Sequence, residues 1–476
     1  MRLLSGILMG SAAGLVAISA AQAADFPVKA KKAAVQYVKI CSLYGDGFYY
    51  VPGTDICLKF GGFVRSQIYV GEGMGPSATA GPYTGANGAH TRTGGADWVQ
   101  RSRAVWTVDT RQSTSYGTLR TYTLIGFSQD NPGQSPNNSA GAAAAGLYAN
   151  RAFIQFAGFT FGKAQSFYDM YPSAAYTFFA NRWTSDTGDS GQLLTAYTAT
   201  FGGGMSATIA LEDPRRGSVT RFSTALALGA APSADNMQIK YPDVVANLRG
   251  DWTWGSLQVM GALHDSSAGY YGATEATGHP SDIWGYALGV GGVLKVPTGV
   301  ADTLGFQFNY TKGATRYAAL LQGGFGNVIL YNSSGVALGW IADGVYGAGT
   351  SVDLTTAWGL NVAFDHGWSQ TLRTSIYGTW ARVDYSGTGQ SLMSIAACGT
   401  AVCGNPDFGL WLVGSRTQWN PVKGLVMGVD VMYERVQTAF GGLLTAAAFN
   451  GRTAGYPIND QGVWEFTCRV QRDILP

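Results

Sequence analysis

Charge is scarce in this chain: only 13% of its 476 residues are Asp, Glu, Lys or Arg, against about 25% in soluble proteins. That argues against an ordinary cytosolic fold. The charges also nearly cancel, 31 Lys and Arg against 29 Asp and Glu, so no global basic field exists to hold nucleic acid. Only four histidines occur, His90, His264, His279 and His366. None lies near a cysteine pair, which argues against zinc, and no metal or cofactor is expected. The glycines form no G-x-S-x-G, Walker A or G-x-G-x-x-G pattern, so nucleophile-elbow and phosphate-cradle chemistry lack support. His264-Asp265 and Asp365-His366 are adjacent pairs, but strand neighbours point to opposite faces. Only His366, in a predicted turn, is left as a weak catalytic candidate, and the chain is read as a non-enzyme.

Long apolar runs are also missing, with one exception. Residues 1–23 carry a single charge, Arg2, then an apolar stretch and the A-x-A sequence Ala21-Gln22-Ala23, which reads as a secretory signal peptide cut before Ala24. No later run of about 18 apolar residues appears, so no helix is expected to span a bilayer. Export permits disulfides. Cys41 and Cys57 bracket an aromatic, hairpin-like segment, Cys398 and Cys403 lie close together, and Cys468 is left over. Two disulfides are expected, with exchange between the pairs left open by spacing alone. Cys468 shares a strand face with Trp464 and Phe466 and reads as a small apolar residue. Residues 24–57 form a segment made basic by Lys29, Lys31, Lys32 and Lys39, ending in the Cys41/Cys57 hairpin; its first part reads as a solvated tail.

Glycine, at 67 residues, and aromatics, at 13%, are abundant and favour strands over helices. From Leu58 to the end, at 58–476, stretches of roughly ten alternating apolar and polar residues recur. In 304–310, Leu304, Phe306, Phe308 and Tyr310 oppose Gly305, Gln307 and Asn309; in 425–434, Leu425, Met427, Val429, Val431 and Tyr433 oppose Gly428, Asp430, Met432 and Glu434. Trp98, Trp252, Trp284, Trp358, Trp380, Trp411, Trp419 and Trp464 fall near strand ends on the apolar phase, as aromatic girdles of a membrane barrel do. Short turns at 113–117, 158–159, 202–204, 253–255, 297–302, 365–370 and 420–424 alternate with long loops at about 71–97, 129–146, 164–192, 213–243, 265–283, 313–351, 385–407 and 437–460. The pattern predicts an all-β, antiparallel transmembrane barrel of about sixteen strands. Hydrocarbon cannot satisfy a bare strand edge, so 464–470 is expected to close on 58–70. Sixteen strands enclose a lumen too wide for side chains to fill.

Particular residues then carry a resemblance. The runs VKICSLYG at 38–45, FYYVPGTD at 48–55 and GGFVR at 61–65, with Cys57 between them, RAFIQFAGFTFG at 151–162, GSRTQWNPVKG at 414–424 and RVQRD at 469–473 resemble the alphaproteobacterial outer-membrane porin family, the general diffusion porins of Brucella and rhizobial type. The resemblance covers essentially the whole chain after residue 23. It implies a homotrimer in the outer membrane of a Gram-negative bacterium, in contact with its lipid, passing small hydrophilic solutes and ions by passive diffusion. It also implies a third loop, about 163–192, folded into the barrel. The chain ends Ile474-Leu475-Pro476 rather than on an aromatic, so recognition during assembly is expected to fall to Trp464 and Phe466.

On that reading Asp169, Asp186 and Asp189 bring negative charge to the constriction, facing a basic wall of Arg65, Arg101, Arg103, Arg120 and Arg151. Each arginine lies opposite its strand's apolar residues, and Arg101 and Arg103, two apart, share one pleat face. Separated walls of opposite sign set a transverse field that tunes ion preference. Arg373, Arg416, Asp430 and Glu434 also read as lumen-facing. Two alternatives stand beside this reading: an eighteen-stranded, sugar-type porin, and a plugged barrel with a loop-display or adhesion role.

Overall fold

Outward side chains that are apolar and inward ones that are polar or small make each strand half-buried in lipid and half-facing an interior, and the sheet closes because no edge is left bare. In the computed structural model the apolar outer phase recurs from strand to strand, while several inner faces, those carrying Tyr377, Leu412 and Met432 among them, have apolar side chains as well. The structure describes residues 39–71, 98–130, 146–179, 185, 191–222, 235–319, 326–332, 335–398, 404–444 and 456–474. The chain divides into Met1–Lys39, which apart from Lys39 lies outside these residues and includes the expected signal peptide, and Ile40–Pro476.

The second unit is a barrel of sixteen strands: β1 (Cys57–Gly71), β2 (Trp98–Thr114), β3 (Gly117–Asp130), β4 (Gly146–Phe156), β5 (Phe159–Ala164), β6 (Gln192–Gly202), β7 (Met205–Glu212), β8 (Asp243–Trp252), β9 (Gly255–Asp265), β10 (Trp284–Val296), β11 (Asp302–Lys312), β12 (Thr356–Gly367), β13 (Leu372–Asp384), β14 (Phe408–Trp419), β15 (Leu425–Gln437) and β16 (Gln461–Asp473). Each pairs antiparallel with the next, and β16 closes on β1 from Phe63 opposite Asp473 to Gly71 opposite Glu465. This is the predicted count and closure, and it removes the eighteen-stranded alternative.

All seven short connections fall at one end of the barrel and the long ones at the other. Two of the turns show why their sequences suit them. Between β4 and β5, Ala157 and Gly158 have φ of 49° and 86°, and between β6 and β7, Gly203 and Gly204 have φ of 60° and 82°. Positive φ at both central residues matches the right-handed strand twist, and glycine adopts it without a Cβ penalty. A disulfide joins Cys41 to Cys57 and ties the segment before β1 to that strand's first residue. The second expected pair, Cys398 with Cys403, lies outside the residues whose side chains are described.

The outer face carries the exposed apolar side chains, among them Val64, Val70, Ile125, Ile154, Leu193, Ile209, Val429 and Phe466. Trp98, Trp284 and Trp464 stand exposed toward the long-loop end, and Trp252, Trp254, Trp368 and Trp419 toward the turn end. A soluble sandwich would bury such a face; here it meets hydrocarbon, with tryptophan at both interfaces. Cys468 is exposed on this face, as its phase with Trp464 and Phe466 predicts. Among the described residues no helix is long and apolar enough to cross a membrane.

The connection after β11, expected only as a long loop, contributes something more. Its strand Gly335–Tyr346 has all twelve residues buried. It pairs antiparallel with Gly326–Asn332 and with Asp353–Leu354, and parallel with Ser218–Arg221 of the loop after β7. Its Ala337, Trp340, Ile341, Ala342 and Val345 share one hydrophobic core with the inner-face residues Tyr377, Ala381, Val383, Leu410, Leu412, Met432 and Val436. The interior beside β13–β15 is therefore packed with side chains, and the remaining space lies to one side.

Candidate functional site in the barrel lumen

A segment crossing the inside of a barrel exposes backbone donors and acceptors that strands normally satisfy in ladders, so the wall must supply partners. The segment 165–179, between β5 and β6, is held in this way, strand after strand. Its Phe167 nitrogen donates to Glu212 of β7 at 2.9 Å, and the Phe167 carbonyl accepts from Asn247 of β8 at 2.6 Å and Gln258 of β9 at 3.1 Å. Gln307 Oε1 of β11 accepts from the nitrogens of Met170 and Tyr171, both at 2.9 Å. Ser375 of β13 donates to the Tyr176 carbonyl and Arg416 of β14 to that of Ala175. Asp430 of β15 accepts from Thr177 Oγ1 at 2.8 Å and Phe178 N at 2.6 Å, and Arg469 of β16 and Gln67 of β1 donate to the Phe178 carbonyl. The described backbone of 165–179 is thus tied to the wall from β7 round to β1.

The five predicted basic residues lie on β1–β4. Arg120 of β3 reaches Asp109 of β2 through Nε at 3.1 Å and Nη2 at 2.9 Å, and Arg111 reaches the same carboxylate at 2.9 Å. Arg120 Nη1 also donates to Gln155 at 3.1 Å. Arg103 donates to Ser128 at 2.9 Å, and Arg101 is two residues along the same face. On β4, Arg151 donates to the Asn150 carbonyl at 2.8 Å. Arg65 of β1 donates to Gln471 at 2.8 Å and sits 4.4 Å over the Phe63 ring. The five predicted arginines are all on the inner phase of their strands.

The acidic side differs from the expectation. Asp169 is on the inserted loop, but its side chain is fully buried and paired with Arg215 of the next long loop at 3.0 Å, with Ser185 Oγ at 2.9 Å. Burial opposes charge on Arg215, yet Asp169 foremost, with Tyr317 and Glu212, outweighs it and holds the guanidinium above its ordinary pKa. The Asp169 carboxylate thus has an internal ion-pair partner, as low-dielectric surroundings demand, and Asp169 is also among the residues lining a cavity beside Phe167. Asp186 and Asp189 lie outside the described residues. Arg416, Asp430 and Glu434 are on the inner phase as expected, but the inserted segments cover them to 4%, 0% and 0% exposure. Arg373 pairs with Asp365 at the turn end.

Of the adjacent His-Asp pairs, neither acts as a couple. His264 Nδ1 lies 2.7 Å from Asp243, and its Nε2 lies 3.3 Å from Asp343 on the buried strand. Thr315 donates to Asp343 and Tyr317 to Asp243 at 2.7 Å each. This buried cluster joins β8 and β9 to the connection between β11 and β12. His366 instead bonds Asp302 at 2.7 Å across the turn end. Among the described residues there is no cluster of His, Cys, Asp and Glu arranged to hold a metal.

Sequence reasoning placed Gln307 on a polar face but not at the inserted loop, and missed Asp109, Gln67, Asn247 and Gln258, each a polar residue on its strand's inner phase. It also missed two inward rings: Tyr122 of β3 and Phe153 of β4 stack at 5.4 Å and 23°. They line a cavity of about 370 Å³ with Arg120, Arg151 and Phe167. A second cavity, of about 430 Å³, is lined by Thr198, Thr208, Asn247, Arg249 and Gln258 on the other side of Phe167.

A closed barrel of sixteen antiparallel strands with an apolar, tryptophan-girdled outer face, alternating turns and long loops, and a loop folded inside defines an outer-membrane β-barrel protein. The family model described as "Porin subfamily" matches residues 25–466, and the chain belongs to that family. It is 32% identical over 262 residues to Porin Omp2b of Brucella suis, covering 53% of this chain and 64% of that protein. Porin Omp2b of Brucella melitensis is likewise 32% identical over 260 residues, with the same coverage. The matched part thus spans less than two thirds of these relatives' length. The solved outer membrane channel DcaP of Acinetobacter baumannii shares the fold, with a TM-score of 0.56 at 13% identity, over 89% of this chain and 99% of that one.

Proposed function

We propose that this protein is a porin: a water-filled passage across the outer membrane through which small hydrophilic solutes and ions diffuse passively. The observation that carries the reading is the division of the interior. The inserted segment 165–179 is tied to polar side chains from β7 round to β1, while Arg103, Arg120 and Arg151 lie on β2–β4. Passage is then confined beside the basic wall, and anions are favoured. Family membership points the same way, toward a channel rather than an enzyme. In this proposal residues 1–23 direct export, Arg65 and Arg101 extend the basic wall, and Asp186 and Asp189 supply the acidic side in place of Asp169. Trimeric assembly follows from the family resemblance.

The test is single-channel recording in a planar lipid bilayer under a salt gradient. Stable current steps in multiples of three, with a reversal potential on the anion side, support an open trimeric pore. Folded, inserted protein that passes no current would overturn the reading in favour of a plugged barrel.

A further inference from the structure

The inner wall between β3 and β4 carries an ordered patch. Register places Arg120 beside Gln155, Tyr122 beside Phe153, and Leu124 beside Arg151. The two guanidinium-bearing residues are therefore four residues apart along the strands, about 14 Å at the usual rise, with the aromatic pair midway. Asp109 fixes Arg120 through two contacts, so that its guanidinium lies 5.3 Å from the Tyr122 ring and 5.4 Å from that of Phe153. The inserted loop adds Phe167, whose backbone is itself held by Glu212, Asn247 and Gln258. The result is a cavity of about 370 Å³ with one apolar, ring-lined part and one cationic part. Among the described residues that line it there is no carboxylate.

Each half narrows the class of ligand. A hydrated inorganic anion gains from the arginines but nothing from three aromatic rings and Leu124, whose exposure to water is a cost. A neutral sugar could lie on the rings and bond Gln155, Thr160 and Gln165, yet it brings no charge to meet the guanidinium groups. A flat organic anion uses both halves: its ring packs against Tyr122, Phe153 and Phe167, and its carboxylate meets guanidinium donors. The volume is in the ordinary range for small-molecule sites, about 300–1,000 Å³.

We propose that this cavity is a binding site for small aromatic carboxylates. The proposal rests on and deepens the channel reading above, naming a solute class that this part of the inner wall would favour.

Binding is measured by calorimetry on the full folded chain in detergent, with benzoate, acetate and benzyl alcohol as probes, and KCl current is recorded separately in bilayers. Benzoate is expected to bind at about tenfold lower concentration than acetate, the gain of adding ring contacts to the same charge, and benzyl alcohol to give no saturable heat. Phe153→Leu, which keeps apolar bulk but removes the ring, should abolish the preference for benzoate over acetate. Arg151→Gln should weaken both anions, with folding of each variant checked by heat-modifiable gel mobility. Equal affinity for benzoate and acetate in the unaltered chain, or unchanged benzoate affinity in Phe153→Leu, would overturn the site. Benzoate binding without KCl current would support the site while overturning the channel reading.

Discussion

The backbone nitrogen of Phe178 donates to the carboxylate of Asp430, 252 residues later in the chain, at 2.6 Å. Thr177 Oγ1 and Tyr377 OH share that carboxylate at 2.8 Å and 2.6 Å. One strand residue thus holds the inserted segment at Thr177 and Phe178. Asp430→Ala removes all three bonds, and each buried donor left unsatisfied costs about 1–3 kcal/mol. Hydrogen exchange of the amides in 173–179 is expected to accelerate, while the barrel keeps its folded gel mobility because the strand ladders are untouched. Unchanged exchange would mean that Arg416, Arg469 and Gln67 suffice without Asp430.

The pair Arg215–Asp169 permits a double-mutant cycle. Arg215→Met leaves the Asp169 carboxylate buried without its principal partner, a loss of about 3–5 kcal/mol. Adding Asp169→Leu should recover much of that loss, because two apolar residues can fill the site. Unfolding midpoints in denaturant check the order: the single variant lowest, the double variant between it and the parent. A double variant as unstable as the single one would show that the charge at Asp169 has a further role.

Asp109 lies between Arg111 and Arg120 and bonds both. Asp109→Asn removes one negative charge from the inner wall of β2 and β3, so ion preference should shift further toward anions. The reversal potential under a tenfold KCl gradient would move toward the chloride equilibrium value. Arg151→Gln should move it the opposite way. A shift in the same direction for both variants would contradict a field set by wall charge.

Cys468 reports the register of the closing strand. It lies outward, opposite Ile68 and Val429, while its neighbour Arg469 turns inward to Gln67 and Phe178. In a Cys398→Ser, Cys403→Ser background inserted in liposomes, a charged thiol reagent is expected to leave Cys468 unlabelled until the barrel is unfolded by heat in detergent. Hydrocarbon excludes a charged reagent from that face of the strand. A one-residue slip would turn Cys468 into the lumen and make it react in the folded state.

The barrel itself was legible because its residues meet two different solvents. Val429 and Val431 against Asp430 and Met432 already showed which face meets lipid, and the glycines at 202–204 marked a turn that only positive φ can make. Gly335–Tyr346 was not legible as an inserted strand: both of its faces are buried, so no contrast between lipid and water is written into its sequence. Tyr122 and Phe153 were hidden for a related reason, since aromatic residues read as outward when the phase of a strand is judged by hydrophobicity alone. The bulge that doubles Asn150 and Arg151 against Leu124 further obscured the phase of β4.

Alternation, turn residues, tryptophan placement and loop lengths determined by themselves that the chain is a sixteen-stranded membrane barrel, because those signals are local and repeat in every strand. The inner phase of the five wall arginines followed from the same alternation. Tertiary structure alone decided which charges stay near the lumen and which are cancelled. Asp169 and Arg215 lie 46 residues apart, and Asp430 and Phe178 252 apart, and only the path of the inserted loops brings them together. A charge's role depends on its distance to others and on the dielectric around it, and in this barrel both are set by loops that fold inward.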